Sequence, residues 1–200
     1  MNRFDIVAST WDSNSKRLNI ASSAVEKIKL HVALNKEQKL LDYGCGTGLM
    51  GFGLSDEVKE VVGMDNSQGM LDEFNKKAKD LEFNNITCKL HNISDNHIGE
   101  NEFDVIVSSM TLHHIENTED FILKAYQSLK DGGYLCINDL ESEDGSFHEH
   151  SNDGVFHFGF DKESLRTIFK KVGFEVTFLE TIYSVEKSKS FPVFLIIAKK

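Results

Sequence analysis

The chain has 200 residues, a formal net charge of -10 and 40% apolar side chains. That length suits one core, and the composition is that of a folded protein rather than a disordered one. The acidity argues against a general grip on nucleic-acid phosphates, and no uncharged apolar run of about 18 residues is present to span a bilayer.

The first segment is polar and carries the single tryptophan, Trp11, close to Arg17. It has no apolar core of signal-peptide length, so a cytoplasmic protein is expected. A helix is predicted over 19–34, with Ala21, Ala24, Val25, Ile28 and Val32 at three- and four-residue spacing as its buried stripe. Leu40 and Leu41 open the first strand, which ends in the acidic Asp42. Gly44, Gly46 and Gly48 follow at alternate positions. The second strand covers 58–64 and ends at Asp65. Ser67 then caps a helix whose apolar face holds Met70, Leu71, Phe74, Ala78 and Leu81. A short third strand, 87–90, leads to His91, Asn92 and Ile93. Residues 103–107 read as a central buried strand, with 108–111 as its exit loop before His113 and His114. A helix through Phe121, Ile122, Ala125 and Leu129 closes in Asp131-Gly132-Gly133, and the fifth strand covers 134–137.

Residues 138–160 are acidic and aperiodic and hold His148, His150 and His157. The stretch is long for a plain connection and reads as a lid-like insertion. With Asp153 these histidines invite a metal reading. Their spacing fits no standard ligand motif, nor does that of Cys45, Cys88 and Cys136, and no metal is expected. Asp161 caps a last helix that ends at Gly173. Strands 174–179 and 193–198 lack room for a crossover helix between them and should form an antiparallel hairpin. The pattern is an α/β chain with a doubly wound, mostly parallel sheet. It reads as one domain over 1–200, with 1–35 as an N-terminal helical cap.

In such a sheet a ligand sits beyond the carboxyl ends of the strands. Three glycines let backbone approach it closely, and Asp65 could accept hydrogen bonds from two ribose hydroxyls. Counting from Gly44 and Gly46, Leu49 stands where a dinucleotide fingerprint needs glycine. The phosphate-cradling loop with its Lys-Ser/Thr pair is also missing. These features favour a nucleoside cofactor without phosphates over a nicotinamide dinucleotide.

The successive stretches LLDYGCGTG, VVGMDNS, FDVIVSSMTLHHI and LKDGGYLCIND are similar to the motifs of class I S-adenosylmethionine-dependent methyltransferases of the small-molecule type. The resemblance covers about 40–139. It implies a Rossmann-like, seven-stranded mixed sheet whose last strand runs antiparallel between the fifth and sixth, with S-adenosyl-L-methionine as cofactor. It also implies that Asp42, Gly44, Cys45, Gly46 and Gly48 hold the methionyl end and that Asp65 binds the ribose. Asn66 and Met70 would neighbour the adenine, with Asn92 and Ile93 at its edge; Asn92 stands where many members place an acid. Ser108 would face the methionyl ammonium through its backbone, and Trp11 and Arg17 would close over the cofactor. His113 and His114, just past strand four, are candidates to take a proton from the acceptor. The expected function is methyl transfer to a small-molecule acceptor by a monomer or homodimer, with no membrane partner and with nucleic acid disfavoured. Alternatives are a non-catalytic S-adenosylmethionine-binding protein and a methyltransferase acting on protein or RNA.

Overall fold

Seven strands form one sheet in a computed structural model that describes residues 3–92, 98–148, 151–187 and 189–200. Ile93 and His150 lie outside the described residues. The strands are β1 (Lys39–Tyr43), β2 (Glu60–Asp65), β3 (Ile86–Leu90), β4 (Phe103–Ser109), β5 (Leu129–Leu140), β6 (Glu175–Glu186) and β7 (Ser190–Lys199). Their spatial order is β3-β2-β1-β4-β5-β7-β6. The first five pair in parallel, and β7 lies antiparallel between β5 and β6. This is the sheet that the family resemblance implies.

Alternating side chains divide the core in two. Leu40, Val61, Val105 and Val107 face a cluster completed by α2 (Ser15–His31), α3 (Leu49–Leu54) and α4 (Gln68–Asp80). Leu41, Val62 and Ile106 face the opposite cluster, completed by α5 (Thr118–Ser128) and α6 (Lys162–Val172). Burial on both faces explains why these strands are apolar at successive positions instead of alternating with polar ones. Helix starts follow side-chain caps. The side chains of Asn14, Ser67, Asn117 and Asp161 accept backbone N–H bonds from Lys16, Met70, Asp120 and Ser164, respectively. Gly173 closes α6 in the left-handed conformation that β-carbons disfavour.

Several boundaries differ from the sequence reading. α2 begins at Ser15 rather than residue 19, because Asn14 supplies the cap. The Asp131-Gly132-Gly133 turn is an irregularity inside β5, which starts at Leu129 opposite Phe103 and regains register at Tyr134 opposite Val105. β6 continues to Glu186, well past the expected 179, because β7 pairs with it along its length. The first three residues of 138–160 belong to β5. No helix among the described residues is long and apolar enough to cross a membrane.

Candidate active site

Beyond Tyr43 the chain turns through Gly44, Gly46 and Gly48, with φ of +69°, +51° and +86°. Left-handed backbone at alternate positions is why glycine recurs there. The N–H groups of Gly44 and Cys45 both donate to the Met64 carbonyl, at 2.8 and 3.0 Å, which fastens the turn to β2. The N–H of Gly46 donates to Asp65 Oδ2 at 2.8 Å, and that of Ser67 to Asp65 Oδ1 at 2.9 Å. The Asp65 carboxylate therefore clamps the glycine turn to the start of α4, each oxygen keeping capacity for a further donor. Burial pushes this carboxyl above the ordinary range, against the pull of the Gly46 and Ser67 amides. Counted from Gly46, glycines 48 and 51 do meet the dinucleotide spacing. The glycine that follows the strand, however, is Gly44, so that pattern is out of register with the turn.

Three of the proposed site residues support the turn from beneath. Asp42 is 1% exposed, and its Oδ2 accepts the Gly51 N–H of α3 at 2.8 Å. The Cys45 sulfur stands 2.8 Å from where a Cβ on Gly63 would lie, so its side chain faces β2 and only its backbone belongs to the turn. Ser108 is buried, and its Oγ donates to the Tyr43 carbonyl at 2.9 Å, tying the exit of β4 to the end of β1. Burial, with the charge of Asp65 as the lesser cause, raises the Asp42 carboxyl from 3.8 to about 7. Between those two values the native state holds a proton that the unfolded chain releases, so stability falls as pH rises through that window. Asp42→Asn removes the titration. Its stability relative to wild type should rise by a few kcal/mol, in order of magnitude, between pH 4 and pH 8. Thermal unfolding of both proteins across that range checks this; a pH-independent difference would contradict it.

The N-terminal residues lie over the turn. In α1 (Arg3–Val7), Asp5 Oδ1 accepts from Ser67 Oγ at 2.6 Å and from the Gly69 N–H at 3.0 Å. Thr47 Oγ1 donates to Asp12 Oδ1 at 2.6 Å, and Lys77 pairs with Asp12. The Arg17 guanidinium stacks 3.5 Å from the Trp11 ring centroid and donates to the Trp11 carbonyl at 3.2 Å, so Arg17 holds Trp11 in place. A Cβ built on Gly46 would find Met70 Sδ at 3.9 Å and Trp11 Nε1 at 4.0 Å as its nearest neighbours. The space over the turn is thus bounded by a thioether and an indole N–H. Met70 is buried, whereas Asn66 and Asn92 are exposed.

The histidines regroup. His157 turns away, its Nε2 lying 3.0 Å from the Ile115 carbonyl and 3.2 Å from that of Glu116. Asp153 is exposed, and its carbonyl accepts from Arg3. His148 instead meets His113 and His114, with ring centroids 5.2 and 5.7 Å away. His113 is 2% exposed, and its Nδ1 lies 2.7 Å from Asp139 Oδ1. His114 Nδ1 lies 2.6 Å from the Gly154 carbonyl. Burial, with His113 as second cause, lowers both His114 and His148 to about 4. Phe4 joins this cluster to the glycine turn, packing 5.5 Å from His114 and 5.8 Å from Trp11. Sequence reasoning missed Asp139 and Asp5. A buried acid closing an apolar strand was the one signal for the former.

The family model described as "Methyltransferase domain" matches residues 34–173. The chain belongs to the class I S-adenosylmethionine-dependent methyltransferases. This methyltransferase is 32% identical over 145 residues to an uncharacterized methyltransferase of Schizosaccharomyces pombe, covering 66% of this chain and 51% of the other. It is 27% identical over 118 residues to a ubiquinone biosynthesis O-methyltransferase of Rickettsia typhi, covering 58% and 46%. The chain therefore spans about half the length of these curated relatives. A crystal structure of an S-adenosylmethionine-dependent methyltransferase from Aquifex aeolicus superposes with a TM-score of 0.75 at 20% identity, covering 98% and 97% of the two chains.

Proposed function

We propose that this methyltransferase transfers the methyl group of S-adenosylmethionine to a small-molecule acceptor. The observation that carries the reading is the Asp65 carboxylate, held by the Gly46 and Ser67 amides at the rim of a glycine turn. In this reading Asp65 accepts from the ribose hydroxyls, and Asn66, Met70 and Asn92 neighbour the adenine. The backbone of Gly44, Cys45, Gly46, Gly48 and Ser108 lines the methionyl end. Asp42 sets the turn from below, and Trp11, steadied by Arg17, closes over the bound nucleoside. Two raised carboxyls beside the turn suit a cofactor bearing a sulfonium and an ammonium, because a nearby cation favours their ionised forms.

The acceptor enters on the side of His113, His114 and the segment that follows β5, which acts as a lid. His113 and His114 line that side, and burial keeps the His114 imidazole neutral there. The sulfonium is already activated, so alignment of the acceptor and exclusion of water supply much of the rate. A net charge of -10 and a relative named for ubiquinone biosynthesis support a small acceptor over a polyanionic one. The test is incubation with methyl-labelled cofactor and a metabolite extract. Label is expected in an acid-soluble product; label confined to protein or RNA would overturn the small-molecule reading.

A further inference from the structure

Three imidazoles from two distant stretches converge beside the acceptor side. His113 and His114 come from a single turn of 3₁₀ helix after β4 (Leu112–His114), and His148 from the segment after β5. One ligand nitrogen of each lies within 4.8 Å of those of the other two. We propose that this cluster is a binding site for a divalent transition-metal cation of the zinc class.

The hydrogen bonds prepare the rings for that role. The Gly154 carbonyl can only accept, so His114 Nδ1 carries the proton and the neutral ring's lone pair lies on Nε2. Asp139 does the same for His113. Its Oδ1 lies 2.7 Å from Nδ1, while its Oδ2 accepts the His113 backbone N–H at 3.1 Å and fixes the ring's direction. A carboxylate or carbonyl on the remote nitrogen is the usual support of a metal-bound histidine. The Nε2 atoms of His113 and His148 are buried and have no hydrogen-bond partner among the described residues. Burying an imidazole nitrogen unpaired costs free energy, and a cation removes that cost from several rings at once.

Size is compatible. Zn–N bonds of about 2.0–2.1 Å place the ligand atoms of a tetrahedral site about 3.3 Å apart, so the rings close by roughly 1.5 Å on binding. Asp139 holds His113, so the movement falls to His148, and to His114 together with the exposed Gly154 carbonyl that it bonds. Neutral imidazoles select zinc, cobalt or nickel over magnesium or calcium. Three such ligands leave a fourth position open for water or another oxygen donor. The proposal rests on the cluster and not on methyl transfer, and the two can fail separately.

The test uses the full chain, stripped with chelator and dialysed, then titrated with cobalt(II) and followed by visible absorption, with zinc as competitor. One equivalent of cobalt is expected to give the intense bands of a four-coordinate ion, and zinc to displace it. His148→Ala and Asp139→Asn should each weaken binding about ten- to a hundredfold. His31→Ala, which removes an exposed histidine of α2 that packs against Phe178 of β6, should not. Circular dichroism of His148→Ala should match wild type, since the residue is only half-buried in an irregular segment. No saturable uptake, or equal affinity in wild type and His148→Ala, would overturn the site.

Discussion

Asp65→Ala is expected to abolish the thermal stabilisation that S-adenosylhomocysteine gives the wild-type protein. At a hundredfold excess over Kd a ligand adds about 2.7 kcal/mol to the native state, roughly 5–10 °C in Tm for a chain of this length. In the proposed reading the carboxylate accepts from the ribose diol, and each hydrogen bond to a charged partner is worth about 1.5–3 kcal/mol. Losing two lowers affinity by roughly a hundredfold or more. The same change frees the Gly46 and Ser67 amides, so the turn also loosens. Asp65→Asn separates the two effects, because its single amide oxygen can still accept and its NH₂ can only donate. It should retain more of the fold than of the affinity. Differential scanning calorimetry with and without ligand reads both. A wild-type ligand shift in Asp65→Ala would show that this carboxylate does not clasp the sugar.

Gly44→Ala is expected to lower Tm by roughly 5–15 °C, whereas Gly46→Ala should lower it less, through backbone strain alone, and should chiefly reduce ligand affinity. A Cβ at Gly44 would stand 2.4 Å from both Cγ2 and Oγ1 of Thr111, at a φ of +69°. Left-handed backbone costs an L residue about 1–2 kcal/mol, and overpacking about 1–3 kcal/mol more. Thr111→Ala added to Gly44→Ala should recover part of the packing loss and none of the backbone strain. At Gly46, whose φ of +51° brings a similar backbone strain, no described residue other than its chain neighbours comes nearer than 3.9 Å to an added Cβ. The added methyl there meets Met70, Trp11 and the space assigned to the nucleoside instead. Thermal unfolding with and without S-adenosylhomocysteine distinguishes the two glycines. Equal losses of stability at both positions would contradict this division.

The sheet was legible because the central strands carry short apolar runs followed by a helix or a turn signal. Gly44, Gly46, Gly48 and Asp65 were legible as a set because topology brings consecutive β-strand ends together. Side-chain direction was not legible. Cys45 sits within the glycine motif yet packs against Gly63, and Asp42 reaches under α3 to Gly51. Nothing in spacing could pair Asp139 with His113, since parallel neighbours β4 and β5 bring them together across a whole helix. For the same reason spacing could not show that His148 meets His113 and His114 while His157 turns away to the Ile115 carbonyl. The bulge in β5 escaped because Asp-Gly-Gly spells a helix stop and a strand irregularity equally well.

Isothermal titration calorimetry of the wild-type chain with S-adenosylhomocysteine tests the account most directly. One site per chain is predicted, with S-adenosylmethionine competing for it and NAD failing to do so. A flat titration at millimolar ligand, or displacement by NAD, would contradict it.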